Sequence, residues 1–576
     1  MTTDASILDP SGLKPIRLLP GIIIVILQWL IRFGLPIIIP GSEVYGIFGG
    51  LLGGLAIIVW WVFFSRALLF DRIGAIIMMV VTLYLTSLVI DKSIATGGQG
   101  MMFIIFSVPV LSLAFVLWAV ASQHVTLRYR RLSMVITIVI ASFGWTLLRT
   151  DGITGDFKLD LAWRWSKTAE ERLIEQSFVE TTKYFSAPGA LSKLAEWPGF
   201  RGPNRDGIVT GAMIKTDWKN SPPKELWRQP VGPGCSSFAV SGDLFYTQEQ
   251  RGEYEAITCY QLNTGQPVWI HKDTARFWDS HAGAGPRSTP TFHNSRVFTL
   301  GATGIFNALN AADGSVVWSR NAVADTHVKH SGWGYSSSPL VVSDLVIVAT
   351  VGQLVAYDIE TGDPRWVGPD GGDSYSSPHL LTIDGIKQIV LLSATGAISV
   401  KPEDGTVLWN YAWSGDSRIV QPALGPGGEL LICNSDGSSL RCVSVVHESG
   451  KWTFEEHWTS ANLKPNFNDF VVHNGYAYGY SGPLLVCIDL KDGERKWRSG
   501  RYGGQILLLA DQDLLVVLSE KGELALIRAI PDRFEELSRI AAIKGKTWNH
   551  PVLVDDILLV RNSQEMVGYQ VTIIGS

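Results

Sequence analysis

One phrase returns throughout the second half of this chain, and it constrains the fold more than anything else in the sequence. Leu262-Asn-Thr-Gly-Gln-Pro-Val-Trp269 reads as an apolar strand, a tight turn with glycine at its corner, and a strand closing on tryptophan. It recurs as Leu309-Asn-Ala-Ala-Asp-Gly-Ser-Val-Val-Trp318, Tyr357-Asp-Ile-Glu-Thr-Gly-Asp-Pro-Arg-Trp366, Val400-Lys-Pro-Glu-Asp-Gly-Thr-Val-Leu-Trp409 and Ile488-Asp-Leu-Lys-Asp-Gly-Glu-Arg-Lys-Trp497. A weaker copy ends at Trp458. Self-similarity at roughly 40–50 residues marks a stacked or radial repeat, because one such unit cannot bury its apolar face alone.

Within each repeat the grammar is four short strands. Ser336-Ser-Ser-Pro-Leu-Val-Val342 reads as a first strand and Leu345–Thr350 as a second. Leu354–Tyr357 follows as a third, then a turn at Thr361-Gly362 into the strand of Trp366. Four strands with turn signals between them make a propeller blade. Blades end at Trp269, Trp318, Trp366, Trp409, Trp458 and Trp497, and a seventh runs from Gln505 to Ile540 without its tryptophan. Pro551–Val554, Ile557–Val560 and Val567–Val571 supply three strands of an eighth. The early segment Glu225-Leu-Trp-Arg-Gln229 is predicted to complete it and close the ring, which leaves no raw sheet edge.

The first 150 residues obey different rules. Apolar runs at 18–40, 44–64, 73–90, 101–121 and 133–149 are each long enough to cross a hydrocarbon core as helix. Lys14, Arg17, Arg66, Arg72, Arg128, Arg130 and Arg131 fall on alternate loops, so the N-terminus is expected in the cytoplasm and the chain emerges outside after the fifth span. Arg149 dissents, and Arg32 is the ionisable residue within a span. Gly49, Gly50, Gly53 and Gly54 suit close helix packing, so this half reads as an anchor in the lipid bilayer. It carries a charge balance of +5 against −5 for the whole chain, which leaves −10 to residues 151–576. An acidic soluble part argues against nucleic acid, whose phosphates call for a basic surface.

The expected domains are a five-helix transmembrane domain at 1–150, a linker at 151–199 and an all-β eight-bladed propeller at 200–576. In the linker Thr168-Ala-Glu-Glu171 is a capping box opening an amphipathic helix that runs to about Phe185. Trp197–Gly207, dense in Gly and Pro, reads as ordered turn. The five cysteines contain no C-x-x-C pair. Cys433 and Cys442 flank a turn at Asp436-Gly437 and could meet across it; unpaired small buried residues are the favoured reading, because a cross-strand bridge is geometrically demanding.

The phrases ending in Trp269, Trp318, Trp366, Trp409 and Trp497 resemble the tryptophan-docking repeats of pyrroloquinoline-quinone (PQQ)-type eight-bladed propellers. That group includes quinoprotein dehydrogenases and the propeller lipoprotein of the outer-membrane barrel assembly machinery. The Trp197–Gly207 lead-in is similar to that of PQQ-like repeat proteins of bacteria. The resemblance implies the fold; function does not follow from it, because this fold hosts unrelated activities. Five spans before a periplasmic propeller also resemble membrane-bound quinoprotein glucose dehydrogenase, which implies a calcium-held quinone, a carboxylate base and long insertions. Here about 44 residues per blade cover four strands and little more, and no acidic cluster matches calcium ligands. The favoured reading has no cofactor; PQQ and calcium belong to the alternative of a quinoprotein dehydrogenase feeding the quinone pool.

Residues just before the first strands should rim a funnel: Arg287, Trp333, Tyr335, Tyr375, Arg418, Asn468, Gln505, Trp548 and His550. Aromatics and arginines there suit a peptide, glycan or other planar or anionic ligand, while equal weight falls on their packing the blade tops. His281, His327 and His330 have no fixed carboxylate beside them and read as solvated loop residues. Trp269, Trp318, Trp366, Trp409, Trp458 and Trp497 are expected to be structural wedges between blades. The sequence thus reads as a bacterial inner-membrane protein whose periplasmic propeller binds an envelope protein partner or small ligand, with no catalytic residues and no metal.

Overall fold

The computed structural model describes residues 16–39, 42–153, 159–179, 196–328, 332–413, 415, 418–433 and 439–574. The chain divides into two compact units, 1–166 and 167–576.

The first unit holds five helices long and apolar enough to cross a membrane: Leu19–Ile38, Glu43–Phe64, Leu69–Ser87, Met102–Ala121 and Leu127–Leu147. Glycines of the second helix lie against the first, where a side chain at Gly53 would strike Gln28 and one at Gly50 would press on Arg32. That contact lets Gln28 Nε2 reach the Gly50 carbonyl at 2.7 Å. Helices three and five start earlier than their apolar runs. The basic cluster assigned to the loop between spans four and five lies in the first turns of helix five, where Arg131 Nε meets the buried Asp71 carboxylate at 2.6 Å. A partner at the start of helix three lets that charged turn stay helical. Beyond helix five a two-stranded hairpin pairs Leu148–Ile153 with Leu159–Trp163.

The second unit opens with the predicted helix. Thr168 Oγ1 accepts the Glu171 amide, and Glu171 reaches back to the Thr168 amide at 2.7 Å. The helix, described as Ala169–Val179, packs on blade 1 through Glu170, which accepts the Gly252 amide and pairs with Arg276. Its expected continuation to Phe185 lies outside the described residues.

Eight sheets then form the ring, each running outward from a short inner strand. Blades 1 to 6 begin at Ala239, Thr291, Leu340, His379, Ala423 and Val471 and end in the tryptophan strands. Blade 7 runs from Gln505 to Ala541 and gains Ile208–Val209 as a parallel neighbour of its inner strand. Blade 8 takes Val552–Val554, Ile557–Arg561 and Glu565–Gln570 from the C-terminal region and Lys224–Pro230 as its outer strand. The ring therefore closes by the strand the sequence assigned to it. Middle strands such as Leu345–Thr350 are buried along their whole length, because neighbouring blades cover both faces.

One register feature repeats in seven of the eight blades, blade 7 keeping the bulge but pairing Leu526 with Ser538. The last strand pair carries a bulge, and immediately before it a small residue faces the tryptophan: Cys259 with Trp269, Ala308 with Trp318, Ala356 with Trp366, Ser399 with Trp409, Cys442 with Trp458, Cys487 with Trp497 and Gly568 with Trp227. The bulge re-aims the indole, and the small partner leaves it room. Three of the five cysteines are explained this way, and all five are free thiols, Cys433 and Cys442 included.

Candidate functional site

The propeller axis is built from the residues that precede each inner strand. Ser237, Thr289, Ser338 and Ser377 form a chain in which each amide donates to the next hydroxyl at 2.9–3.0 Å. Gln421 Nε2 continues it to the Ser377 and Pro378 carbonyls, and the Asp469 amide donates to Gln505 Oε1. Ser237 Oγ closes the belt on the His550 carbonyl at 2.7 Å. His550 Nε2 also reaches Asp469 Oδ2 at 2.9 Å, tying blade 8 to blade 6.

The Trp197–Gly207 segment enters this axis from the chain itself. Its arginines at 201 and 205 adopt positive φ, and both are buried. Arg201 donates to the Phe470 and Asp206 carbonyls and lies 3.3 Å from Asp469 Oδ1. Arg205 donates to the Pro339 and Ser338 carbonyls, and Asn204 places its carbonyl 3.1 Å from His379 Nε2. Burial alone would raise the Asp469 carboxyl, but Arg201 and His550 outweigh it and hold that group below the usual carboxylate range. Burial, reinforced by the charge of Arg205, pushes His379 down to about 4.

The predicted rim divides in two. Arg418, 1 % exposed, spends its guanidinium on the Cys433 and Trp413 carbonyls. Asn468 and Gln505 likewise bond backbone carbonyls, Tyr335 donates to Val328, and Arg287 is buried against Asp279 and the Gly283 carbonyl. His550 belongs to the axial belt. These side chains secure loops rather than face a ligand, since carbonyls so placed must be satisfied.

Trp333, Tyr375 and Trp548 remain; the buried Tyr375 accepts the Trp333 amide at its hydroxyl, the Trp548 indole donates to Glu520 at 2.8 Å, and the fold joins their rings into an arc. Tyr375 lies 4.9 Å from Trp333, which lies 5.8 Å from His281. The His281 carbonyl accepts from Lys546 Nζ at 2.7 Å, and that ammonium sits 4.0 Å over Trp548, itself 4.9 Å from Phe467. Five separate inter-blade loops thus present an aromatic line with one ammonium in its middle. Of the three histidines read as solvated loop residues, His281 joins this arc, His327 caps a short helix, and His330 lies outside the described residues.

A calcium-held quinone does not fit these residues. Calcium asks for six to eight oxygens including carboxylates. The axial carboxylate, Asp469, is already engaged by Arg201 and His550, and a cation placed there would face the Arg201 guanidinium. Among the described residues no three His, Cys, Asp or Glu side chains converge as metal ligands.

Sequence reading missed the axial set. Its signal was present as a hydroxyl or polar residue before proline at five of the eight inner strands: Thr289-Pro290, Ser338-Pro339, Ser377-Pro378, Gln421-Pro422 and His550-Pro551. Nothing local marks Arg201 and Arg205 as its occupants.

The outer seams carry the tryptophans. Trp227, Trp269, Trp318, Trp366, Trp458 and Trp497 each donate Nε1 to a carbonyl of the following blade, at 2.7–3.1 Å. Trp409 instead donates to Gln388 of its own blade. At the tryptophan position of blade 7 stands Ser538, whose hydroxyl bonds the Thr216 carbonyl and the Trp218 amide. Trp218, arriving from the N-terminal side, is buried in the cluster shared by blades 7 and 8.

Comparison with known proteins agrees with this geometry. The family described as outer membrane protein assembly factor BamB matches residues 221–378 and 255–499. The propeller is of the PQQ-like kind. Its curated relatives include BamB of Burkholderia pseudomallei, 28% identical over 29% of this chain and 43% of that protein, and BamB of Shewanella oneidensis, 30% identical over 25% and 36%. The chain thus spans less than half the length of both relatives. Among solved structures, BamB from Moraxella catarrhalis is 14% identical over 60% of this chain and 97% of that one, with a TM-score of 0.44. A quinohemoprotein alcohol dehydrogenase from Pseudomonas putida is 13% identical over 66% and 81%, with a TM-score of 0.49.

Proposed function

We propose that this chain is a membrane-anchored PQQ-like propeller that serves as a protein-interaction module of the bacterial cell envelope. In this reading five helices anchor it in the inner membrane with the N-terminus cytoplasmic and the propeller in the periplasm. The observation that carries the proposal is the axis. Arg201 and Arg205 fill it from within, so the aromatic arc of Tyr375, Trp333 and Trp548 is what a ligand meets at the mouth. Aromatic side chains supply large contact area at low entropic cost, and a peptide strand or loop matches an open arc better than a small cofactor does. Relatives named for outer-membrane assembly support an interaction role. The tryptophans at 269, 318, 366, 409, 458 and 497 are then structural, and no cofactor takes part.

The test is to add PQQ and calcium to the purified full-length protein and follow quinone absorbance and dye reduction. Neither is expected; a stoichiometric quinone spectrum with dye reduction would return the chain to the quinoprotein dehydrogenases. A photocrosslinker placed at Trp333 in living cells should give one discrete protein adduct, and its absence from every growth condition would sink the interaction reading. A reporter after Ser576 should be active only outside the cytoplasm; cytoplasmic activity would reverse the topology.

A further inference from the structure

Among the described residues the membrane unit buries two charges, and it treats them differently. Asp71, in the first turn of helix three, is matched by Arg131 at 2.6 Å and by Arg130 at 4.0 Å. Arg32, in the first helix, is 5% exposed, and no ion pair joins it to an acidic side chain among the described residues. Its Nε and Nη2 have no hydrogen-bond partner. What surrounds the guanidinium is aromatic: Phe106 at 4.7 Å and Phe33 at 5.0 Å from Cζ.

The local backbone is arranged to hold it there. Leu30–Gly34 forms a π-turn within the helix, a device that shifts side-chain direction and is frequent at functional sites. Gly50 of helix two lies against the Arg32 stem, where a β-carbon would come within 3.1 Å of Cδ. The anchor reading does not need this residue, since a helix bundle packs better without an unpaired charge. A fixed cation, two buried donors without a partner and apolar walls together describe a charge that the protein leaves for a bound anion to match.

Depth identifies the anion. Helix one ends at Ile38, six residues beyond Arg32, which places the Arg32 Cα roughly 9 Å below that end at 1.5 Å per residue. Side chains of this length reach the headgroup boundary from such a depth. Exposed Ile37, Ile38, Tyr45 and Phe48 flank the position and offer an acyl-facing surface. The guanidinium fork matches two phosphate oxygens at once. We propose that Arg32 binds the phosphodiester of an anionic phospholipid, which completes the charge balance of the helix bundle.

The experiment uses the full chain in phosphatidylcholine nanodiscs doped with phosphatidylglycerol, followed by native mass spectrometry of the lipid retained on release into detergent. Wild type should keep phosphatidylglycerol in preference to phosphatidylcholine. Arg32→Gln should lower that retention about tenfold, and Arg32→Lys, which keeps charge but loses the fork, should lower it about threefold. Arg66→Gln, at an exposed loop arginine, should change nothing. Unchanged retention in Arg32→Gln overturns the proposal, and should that variant fail to fold, unchanged retention in Arg32→Lys does the same. An equal loss in Arg66→Gln would show general surface charge instead. Displacement of the lipid by inorganic phosphate would make the occupant a soluble anion and reject the lipid.

Discussion

Two seams of the same ring are built by different means. Between blades 2 and 3, Trp318 donates across to the Ile359 carbonyl and lies on Gly362, whose positive φ turns the next blade's corner beneath the indole. Between blades 4 and 5 the corresponding hairpin is extended, from Leu440–Glu448 to Lys451–Ser460, and no glycine corner lies beneath Trp409. Trp409 turns to Gln388 in its own blade and packs against Phe454 and Trp452. Its outer cross-seam bonds run from Arg441 to the Tyr411 hydroxyl and from the His447 amide to Asp384, while at the axis His379 Nδ1 lies 3.0 Å from the Pro422 carbonyl and Gln421 reaches Ser377 and Pro378. Both seams are bonded at the hub, the first through Thr289 and Ser338, but the second gives up its tryptophan bond and carries an imidazole at the hub.

Paired substitutions of corner glycines should break this comparison most sharply. Gly362→Ala places a β-carbon 2.6 Å from the Trp318 ring in a left-handed conformation, and should cost about 4 kcal/mol from strain and overpacking together. Gly450→Ala at the extended hairpin has the same backbone strain with nothing within 4 Å, and should cost only about 1 kcal/mol. Thermal unfolding of the propeller transition checks both, and equal costs would show that the seams do not differ.

Acid should then single out the seam with the histidine at its hub. His379 has carbonyls at both ring nitrogens, which favours imidazolium, yet burial and the neighbouring arginines outweigh them and lower it from 6.5 to about 4. A depressed histidine binds its proton more readily once unfolded. The stability is therefore complete above about pH 6.5 and falls as pH drops toward 4, by roughly 3 kcal/mol in all. Comparing wild type with His379→Gln across this window isolates the contribution, because the buried Glu255, raised to about 7, acts in the opposite direction in both proteins. A smaller acid loss in wild type than in the variant would mean that the imidazolium is the folded form.

Smallest should be the loss of a single indole donor. Trp318→Phe removes one of two donors to the Ile359 carbonyl, Arg296 Nη1 keeping the other at 2.7 Å, and should cost about 1 kcal/mol, with hydrogen exchange rising in blades 2 and 3 together. Trp409→Phe removes a bond inside blade 4, so exchange should rise there without spreading to blade 5. Spreading across that seam would return Trp409 to the general pattern.

Much of this was legible because repeats repeat. Periodic tryptophans, corner glycines and alternating apolar strands located the blades and even the closing strand, since register in a buried strand follows from which residues must be inside. The five spans were equally plain, and only their starts moved, where Asp71 gave the basic turn of helix five a partner that hydropathy does not register. The rim was legible only in part. Arg287 and Arg418 read as ligand donors until the fold set carbonyls in front of them, and Trp333 and Trp548 acquired meaning by meeting through His281 and Lys546.

The sequence by itself determined the number of blades, the way the ring closes and the presence of an apolar helical half, because these follow from local periodicity and the need to bury one face. Only the tertiary structure decided what fills the axis, which seam gives up its tryptophan bond and which arginine is left without an acidic partner. Those outcomes depend on contacts between residues as far apart as Arg201 and Phe470 or Arg32 and Phe106, and no local pattern encodes such distances.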